Sequence, residues 1–386
     1  MMSTVGNYAS RSLLMHLAMT LSGFVAFLLL LDLMNRGDDV VLRHGKSALA
    51  LAKYAALRLP DLASFILPFA VLIASLLMLA KFARNNEIMA LKASGLSFYR
   101  LLLNLAPAAL LVGLLHFIVS DQVVPRTARI LQEWDAAAAA PAPKPAKGGT
   151  ANKDTDTTPA DNLPLTAPSP GASRSGDWIR DGDSYVRIET VLADGKELRG
   201  VTIFERQGHA VLNERLLAEC ALFDGTSWRL FNVQKLSLAG GQDRKPERIA
   251  EMPWGTSLTP NHLTDLTTDP ATLSVGEVWR FVSHPDVGSR PVDFYDTWLL
   301  RKLALPLVTI MMILLAAPVA QGLQRHGGLG AGLAVGVGLG FLYFVTDGVL
   351  MTLGEMGTIS PMVAAWSPTA LFAAIGISAL LKIEGY

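Results

Sequence analysis

The chain has 386 residues, 51% hydrophobic and 17% charged, with 33 basic and 33 acidic side chains and a formal net charge of zero. Its mean hydropathy of +0.36 reflects more apolar side chain than a soluble core of this size needs, which excludes an ordinary soluble protein. The balanced charge excludes the basic surplus of a nucleic-acid binder, and the single cysteine, Cys220, excludes an intrachain disulfide.

A bilayer hydrocarbon core is about 30 Å thick, so a spanning helix needs roughly 20 mostly apolar residues. In chain order the sequence predicts three spans, Leu13–Leu33, Leu59–Leu79 and Leu101–Ser120, then a long polar insert, then Trp298–Val319, Leu329–Leu350 and Met362–Leu381. The first apolar run is longer than a signal-peptide core and is followed by five more, so it is read as a retained helix. The organisation is therefore residues 1–120 with spans one to three, an insert over 121–292, and residues 293–386 with spans four to six.

Basic residues set the orientation. Arg11, Lys81, Arg84, Lys92, Arg100, Arg325 and Lys382 fall at alternate ends of the spans, which makes that side cytoplasmic. Both termini are then cytoplasmic and the insert lies on the opposite face of the membrane. Arg36, Arg43, Lys46 and Arg58, in the loop between spans one and two, run against this bias. His44-Gly45-Lys46-Ser47 in the same loop resembles the end of a phosphate-binding loop, but Val40 stands where that pattern needs glycine and no strand precedes it.

Between spans two and three, Lys81–Arg100 reads KFARNNEIMALKASGLSFYR, too polar to span. Ile88 and Leu91 share a face at helical spacing, with Met89 a further candidate for it, Arg84, Glu87 and Lys92 lie elsewhere, and Gly95 suits a C-terminus, so a short amphipathic helix is expected over about 84–94. Such a helix either offers a grip to a soluble ATPase or lies along the headgroups.

Within the insert, residues 136–176 are rich in Ala, Pro, Thr, Ser and Gly with almost no large apolar side chains, a composition expected to form a disordered linker. Strands are predicted after it, over Ser184–Val191, Gly200–Arg206, Ala210–Phe223 and Trp228–Ala239, with turns at Asp194-Gly195 and Asp224-Gly225. Their alternation fits a half-buried antiparallel domain, a sandwich or jelly-roll. In span five, Gly330, Gly332, Gly336, Gly338 and Gly340 sit in an apolar helix and are read as a packing face, not a dinucleotide fingerprint. No HExxH, Cys/His cluster or GxSxG elbow occurs, so nothing argues for a catalytic or metal site.

The run Arg84–Ser97, RNNEIMALKASGLS, resembles the signature of the LptF/LptG permeases, membrane subunits of the ABC transporter that extracts lipopolysaccharide. WIRDGDSYVRIETV (Trp178–Val191), LRGVTIFER (Leu198–Arg206) and SLTPNHLTDLTTDPATLSV (Ser257–Val275) resemble that family's periplasmic domain, closer to LptG than to LptF. FYDTWLLRKLALPL (Phe294–Leu307) and GFLYFVTDGV (Gly340–Val349) extend the likeness to nearly the whole chain except the Pro/Ala-rich segment. The resemblance implies six membrane helices with a periplasmic jelly-roll-like domain, and a coupling helix that docks on an LptB-like ATPase dimer through Glu87, with Arg84, Ala90 and Gly95 shaping it. It implies an LptF-like partner permease, an LptC-like membrane-anchored jelly-roll protein and a periplasmic bridge protein. It also implies no cofactor on this chain, ATP and Mg being used by the ATPase.

Charges within or beside spans are costly and usually functional. Asp32, Asp347, Arg301, Lys302, Arg126 and Arg129 all fall near the extracytoplasmic ends of the predicted spans. Snorkelling and helix-to-helix ion pairs are one explanation. Given the resemblance, the other is that Arg126, Arg129, Arg301 and Lys302 bind lipopolysaccharide phosphates while Asp32 and Asp347 orient the basic groups. Relatives can carry lysines in and just after span one; here LLLLDLMNRGDD leaves only Arg36, beside Asp38 and Asp39, as this helix's candidate substrate contact. Two other classes are a membrane scaffold or sensor with a ligand-binding β domain, and a secondary transporter, whose inverted repeat and mid-membrane polar residues are not evident.

Overall fold

The computed structural model describes residues 4–45, 47–93, 98–139, 178–192, 195–207, 211–237, 247–260, 270–283, 287–288, 290–326 and 329–384. The chain divides into two compact units, one from Met1–Leu131, Ile179–Gly182 and Thr268–Tyr386, the other from Gln132–Trp178 and Asp183–Thr267.

The first unit is helical. Its long helices are α1 (Thr4–His44), α2 (Ala48–Arg84), α4 (Phe98–Ile118), α7 (Val292–His326), α8 (Leu329–Glu355) and α9 (Pro361–Glu384), with short α3 (Glu87–Ala93) between α2 and α4. Among the described residues six helices are long and apolar enough to cross a membrane, one over each predicted span. They outrun the apolar segments: α1, at 41 residues, is about 60 Å long, twice a bilayer core. The predicted loop 36–58 is thus mostly helix, because the polar end of α1 and the Ala/Leu-rich start of α2 continue their helices beyond the apolar spans, and among the described residues the chain turns at Gly45, with φ +82. Likewise α2 ends at Arg84, so Arg84 closes that helix and α3 begins at Glu87.

After α4 a π turn, Val119–Val123, runs directly into α5 (Val124–Ala139), so residues 136–139 of the expected linker are helical and the rest of it, 140–177, lies outside the described residues. A further helix, α6 (Val275–Ser283), precedes α7.

Over an apolar 18-residue stretch of each helix, 56% of α2 and 61% of α7 is buried, against 17% of α1 and 22% of α8. The core is therefore α2 against α4 and α7, with Leu72, Leu76, Leu79, Leu105, Met312 and Ala316 fully enclosed. Close approach explains particular glycines. A Cβ on Gly113 of α4 would stand 2.9 Å from the Pro306 carbonyl oxygen of α7, and one on Gly340 of α8 would stand 2.8 Å from Leu72 and Phe69 of α2. Gly338, by contrast, faces open space, so the span-five glycines pack through one side only.

In the second unit, β2 (Ser184–Leu192), β3 (Glu197–Gln207), β4 (Val211–Phe223), β5 (Trp228–Ser237) and β6 (Glu247–Trp254) form an antiparallel sheet, each strand beside the next. The all-β domain predicted after the linker is present; the strand crossings of a jelly-roll are not among the described pairs. Alternation sets the face: Val186, Ile188, Val201, Ile203, Leu216 and Leu230 are buried. Trp228 pairs across from Trp254, and its indole N–H donates to the Leu258 carbonyl at 2.8 Å, so its polar edge is satisfied while its ring is enclosed. At the predicted Asp224-Gly225 turn, Gly225 takes φ +104. Asp194 lies outside the described residues. Strand β1 (Trp178–Asp181) pairs through Arg180 and Asp181 with β7 (Val287–Gly288).

Candidate functional site

A cavity of about 650 Å³ opens among α2, α4, α7 and α8. Phe65, Phe69, Phe341 and Phe344 give it an apolar wall, and Asp61, His116, Arg301, Lys302 and Asp347 face it as the ionisable groups. Arg301 and Lys302 are consecutive on α7, so they point in directions about 100° apart. Arg301 reaches α8, where Nη1 donates to Asp347 Oδ1 at 2.6 Å and to the Tyr343 hydroxyl at 3.4 Å. The two charged side chains are only 16% and 8% exposed, which makes this a buried ion pair. Lys302 turns the other way, and its ammonium, also buried, donates to the Ala271 carbonyl at 3.2 Å.

His116 of α4 donates from Nε2 to the Ser64 carbonyl at 3.1 Å, since a carbonyl only accepts. That bond assigns the tautomer, and Nδ1 has no protein partner among the described residues. An apolar chamber with one buried and one largely enclosed cation on its wall suits an amphiphile whose anionic part meets Arg301 and Lys302 and whose hydrocarbon meets the phenylalanines.

The other predicted charges stand elsewhere. Asp32 on α1 accepts from the Tyr54 hydroxyl at 2.7 Å, lies 3.6 Å from Arg58 Nε and 3.9 Å from exposed Arg36. Arg58 also bonds Asp61 at 2.6 Å, which ties this cluster to the cavity wall. Arg126 is exposed and donates to Gln122 at 3.1 Å, and Arg129 pairs with Glu277 of α6. Neither lines the cavity. The sequence reading missed Tyr54, Asp61, His116, Tyr343 and Glu277 altogether, and treated Arg58 only as a loop charge. A carboxylate at Asp61, beside Pro60 near the start of an apolar run, was the available signal for one of them.

Val124, directly after the π turn, still lines the cavity, and Arg126 and Arg129, about 200° and 140° further round the helix, point away from it. Asp121, in that turn, accepts from the Val275 N–H at 2.6 Å and so caps α6. Ser274 and Glu277 complete a capping box, with Ser274 N–H to Glu277 Oε2 at 2.7 Å and Glu277 N–H to Ser274 Oγ at 3.3 Å.

At the opposite end of the helices, Glu87 opens α3, and Arg84 and Ala90 are exposed beside it. Gly95 lies outside the described residues.

The family model described as lipopolysaccharide export system permease LptF/LptG matches residues 7–382. The Escherichia coli K12 lipopolysaccharide export system permease protein LptG is 25% identical over 365 residues, covering 94% of this chain and 92% of that protein. The Haemophilus influenzae protein of the same name is 22% identical over 377 residues, covering 96% of each.

Proposed function

The chain belongs to the LptF/LptG family of lipopolysaccharide export permeases and is a multi-pass inner-membrane transporter subunit, and from that premise we propose that it is the LptG-type permease of an ATP-driven extractor of lipopolysaccharide. The termini and α3 face the cytoplasm, and the sheet unit is periplasmic. The observation that carries this reading is the apolar cavity with largely enclosed Arg301 and buried Lys302 on its wall. Phosphates of the lipid in the periplasmic leaflet meet these two cations, with Asp347 fixing the guanidinium, and acyl chains lie against the phenylalanines. Asp32, Tyr54 and Arg58 hold α1 to α2 beside it.

An LptF-like subunit packs against α1 and α8, whose apolar surface is largely exposed. An LptB-like ATPase dimer docks on α3 through Glu87, with Arg84 and Ala90 flanking the contact. ATP and Mg are handled by that ATPase; this chain binds no cofactor. Closure of the ATPase narrows the cavity and drives the lipid upward to the sheet domain, then to an LptC-like protein and a periplasmic bridge. Arg126 and Arg129, outside the cavity, serve at most as an entry rim.

Purification from membranes in mild detergent, with identification of bound proteins and lipid, tests the reading. It predicts an ATPase subunit, a related permease and lipopolysaccharide in the complex. Recovery of a kinase or a structural protein in place of an ATPase would instead support a scaffold or sensor.

A further inference from the structure

Glu87 does not stand alone at the start of α3. Asn86 has a left-handed backbone, φ +56, which asparagine tolerates better than most residues. The Asn85 and Asn86 N–H groups return to the Lys81 and Ala83 carbonyls at 3.0 and 3.1 Å, and the Asn86 carbonyl accepts from Ala90 at 2.9 Å. One tight turn thus ends α2 and begins α3, fixing the Glu87 backbone.

Its side chain is fixed as well. The Asn85 amide donates to Glu87 Oε1 at 3.1 Å, and the Tyr8 hydroxyl, from the first turns of α1, reaches the same oxygen at 3.4 Å. The Tyr8 ring stacks on Phe82, with centroids 5.5 Å apart and planes 10° off parallel, and Phe82 is buried. The hydroxyl is therefore aimed by a ring held on the core. Both donors take Oε1, and among the described residues no donor is seen at Oε2, which leaves it for a donor from outside the chain.

We propose that Tyr8, together with Asn85, is a positioning residue for Glu87, presenting its second carboxylate oxygen to a cationic side chain of the docking ATPase and tying that contact to α1. The inference rests on the reading of α3 as the ATPase-docking helix. A glutamate already held in one rotamer loses less freedom on binding, and the saving for one long side chain corresponds to about a twofold to tenfold change in affinity. Because the donor comes from α1, docking is also felt by the helix that carries Asp32 at its other end.

The test is the affinity of the full-length chain, in detergent, for the ATPase subunit that co-purifies with it, measured for wild type, Tyr8→Phe, Asn85→Ala, Glu87→Gln, and each of the first two combined with Glu87→Gln. Tyr8→Phe keeps the stack and removes only the hydroxyl. The proposal expects Tyr8→Phe and Asn85→Ala each to weaken binding about twofold to tenfold, and to add nothing once Glu87 is glutamine. Loss of general stability would persist in the Glu87→Gln background, so an equal loss there overturns the proposal. So does wild-type affinity in both single variants while Glu87→Gln binds weakly. If Glu87→Gln itself binds as wild type, the docking reading fails and this inference falls with it. Should Tyr8→Phe lower the unfolding midpoint, Asn85→Ala, which leaves the stack in place, carries the same expectation and the same refutation.

Discussion

Replacing Asp347 by leucine strands the Arg301 guanidinium in an apolar wall. The pair is 2.6 Å apart and its side chains are 16% and 8% exposed, so water does little to screen the charge left behind. Removing one member of such a pair costs about 3–5 kcal/mol, a large part of the roughly 5–15 kcal/mol that holds a typical protein folded. Asp347→Leu is therefore expected to lower the unfolding midpoint of the detergent-solubilised chain sharply, read by the loss of the monodisperse peak after heating. Arg301→Met combined with Asp347→Leu removes both charges and is expected to recover most of that loss, because an apolar pair of similar volume is often neutral or better. The recovered double variant separates folding from function: it should fold yet retain less lipopolysaccharide. A wild-type midpoint for Asp347→Leu would refute the ion-pair argument. Full lipid retention by the double variant would reduce the pair to a structural brace.

Three further outcomes are expected. Reversing the charge of Lys302 with glutamate should cut lipopolysaccharide co-purification severalfold, measured by phosphate content per protein, while the same change at exposed Arg126 leaves it near wild type. Gly113→Ala should destabilise by about 1–3 kcal/mol, because its Cβ meets Pro306 backbone that cannot move aside, whereas Gly338→Ala, facing open space, leaves the unfolding midpoint unchanged or slightly raised. In the sheet unit, the Ser227 and then the Thr226 N–H hold the Asp224 carboxyl well below the usual carboxylate range. A depressed folded pKa stabilises above the unfolded value of about 3.9 and is lost as pH falls through the folded one. Hydrogen exchange at Thr226 and Ser227 should thus be faster in Asp224→Asn than in wild type at neutral pH, with the difference closing only in strong acid.

The spans were legible because a run of about 20 apolar residues has few other physical uses. Their ends were not. Residues 34–44 are polar helix, which nothing in hydropathy separates from loop, and 48–58, ALALAKYAALR, is a mostly apolar helical run too short to register as a span of its own, so the contact of Asp32 with Tyr54 and Arg58 stayed hidden. The sheet was legible from alternation and from Asp224-Gly225, whose turn the backbone adopts. Arg301, Lys302 and Asp347 stood out as charges in apolar surroundings, and they do line one cavity. Asp61 and His116 join them only because of how α2 and α4 rotate against α7, which packing decides. Arg126 and Arg129 were expected at the same level as these groups, but level along the axis does not fix the face: they stand about 200° and 140° round the helix from cavity-lining Val124.

The central claim is that this chain converts ATP hydrolysis by a partner into lipid movement through Glu87. Its most direct measurement is release of lipopolysaccharide from proteoliposomes that contain the purified complex, with and without ATP, for wild type and Glu87→Gln. ATP-dependent release that disappears in Glu87→Gln is the predicted result. Release that needs no ATP, or that proceeds equally well in Glu87→Gln, would contradict the account.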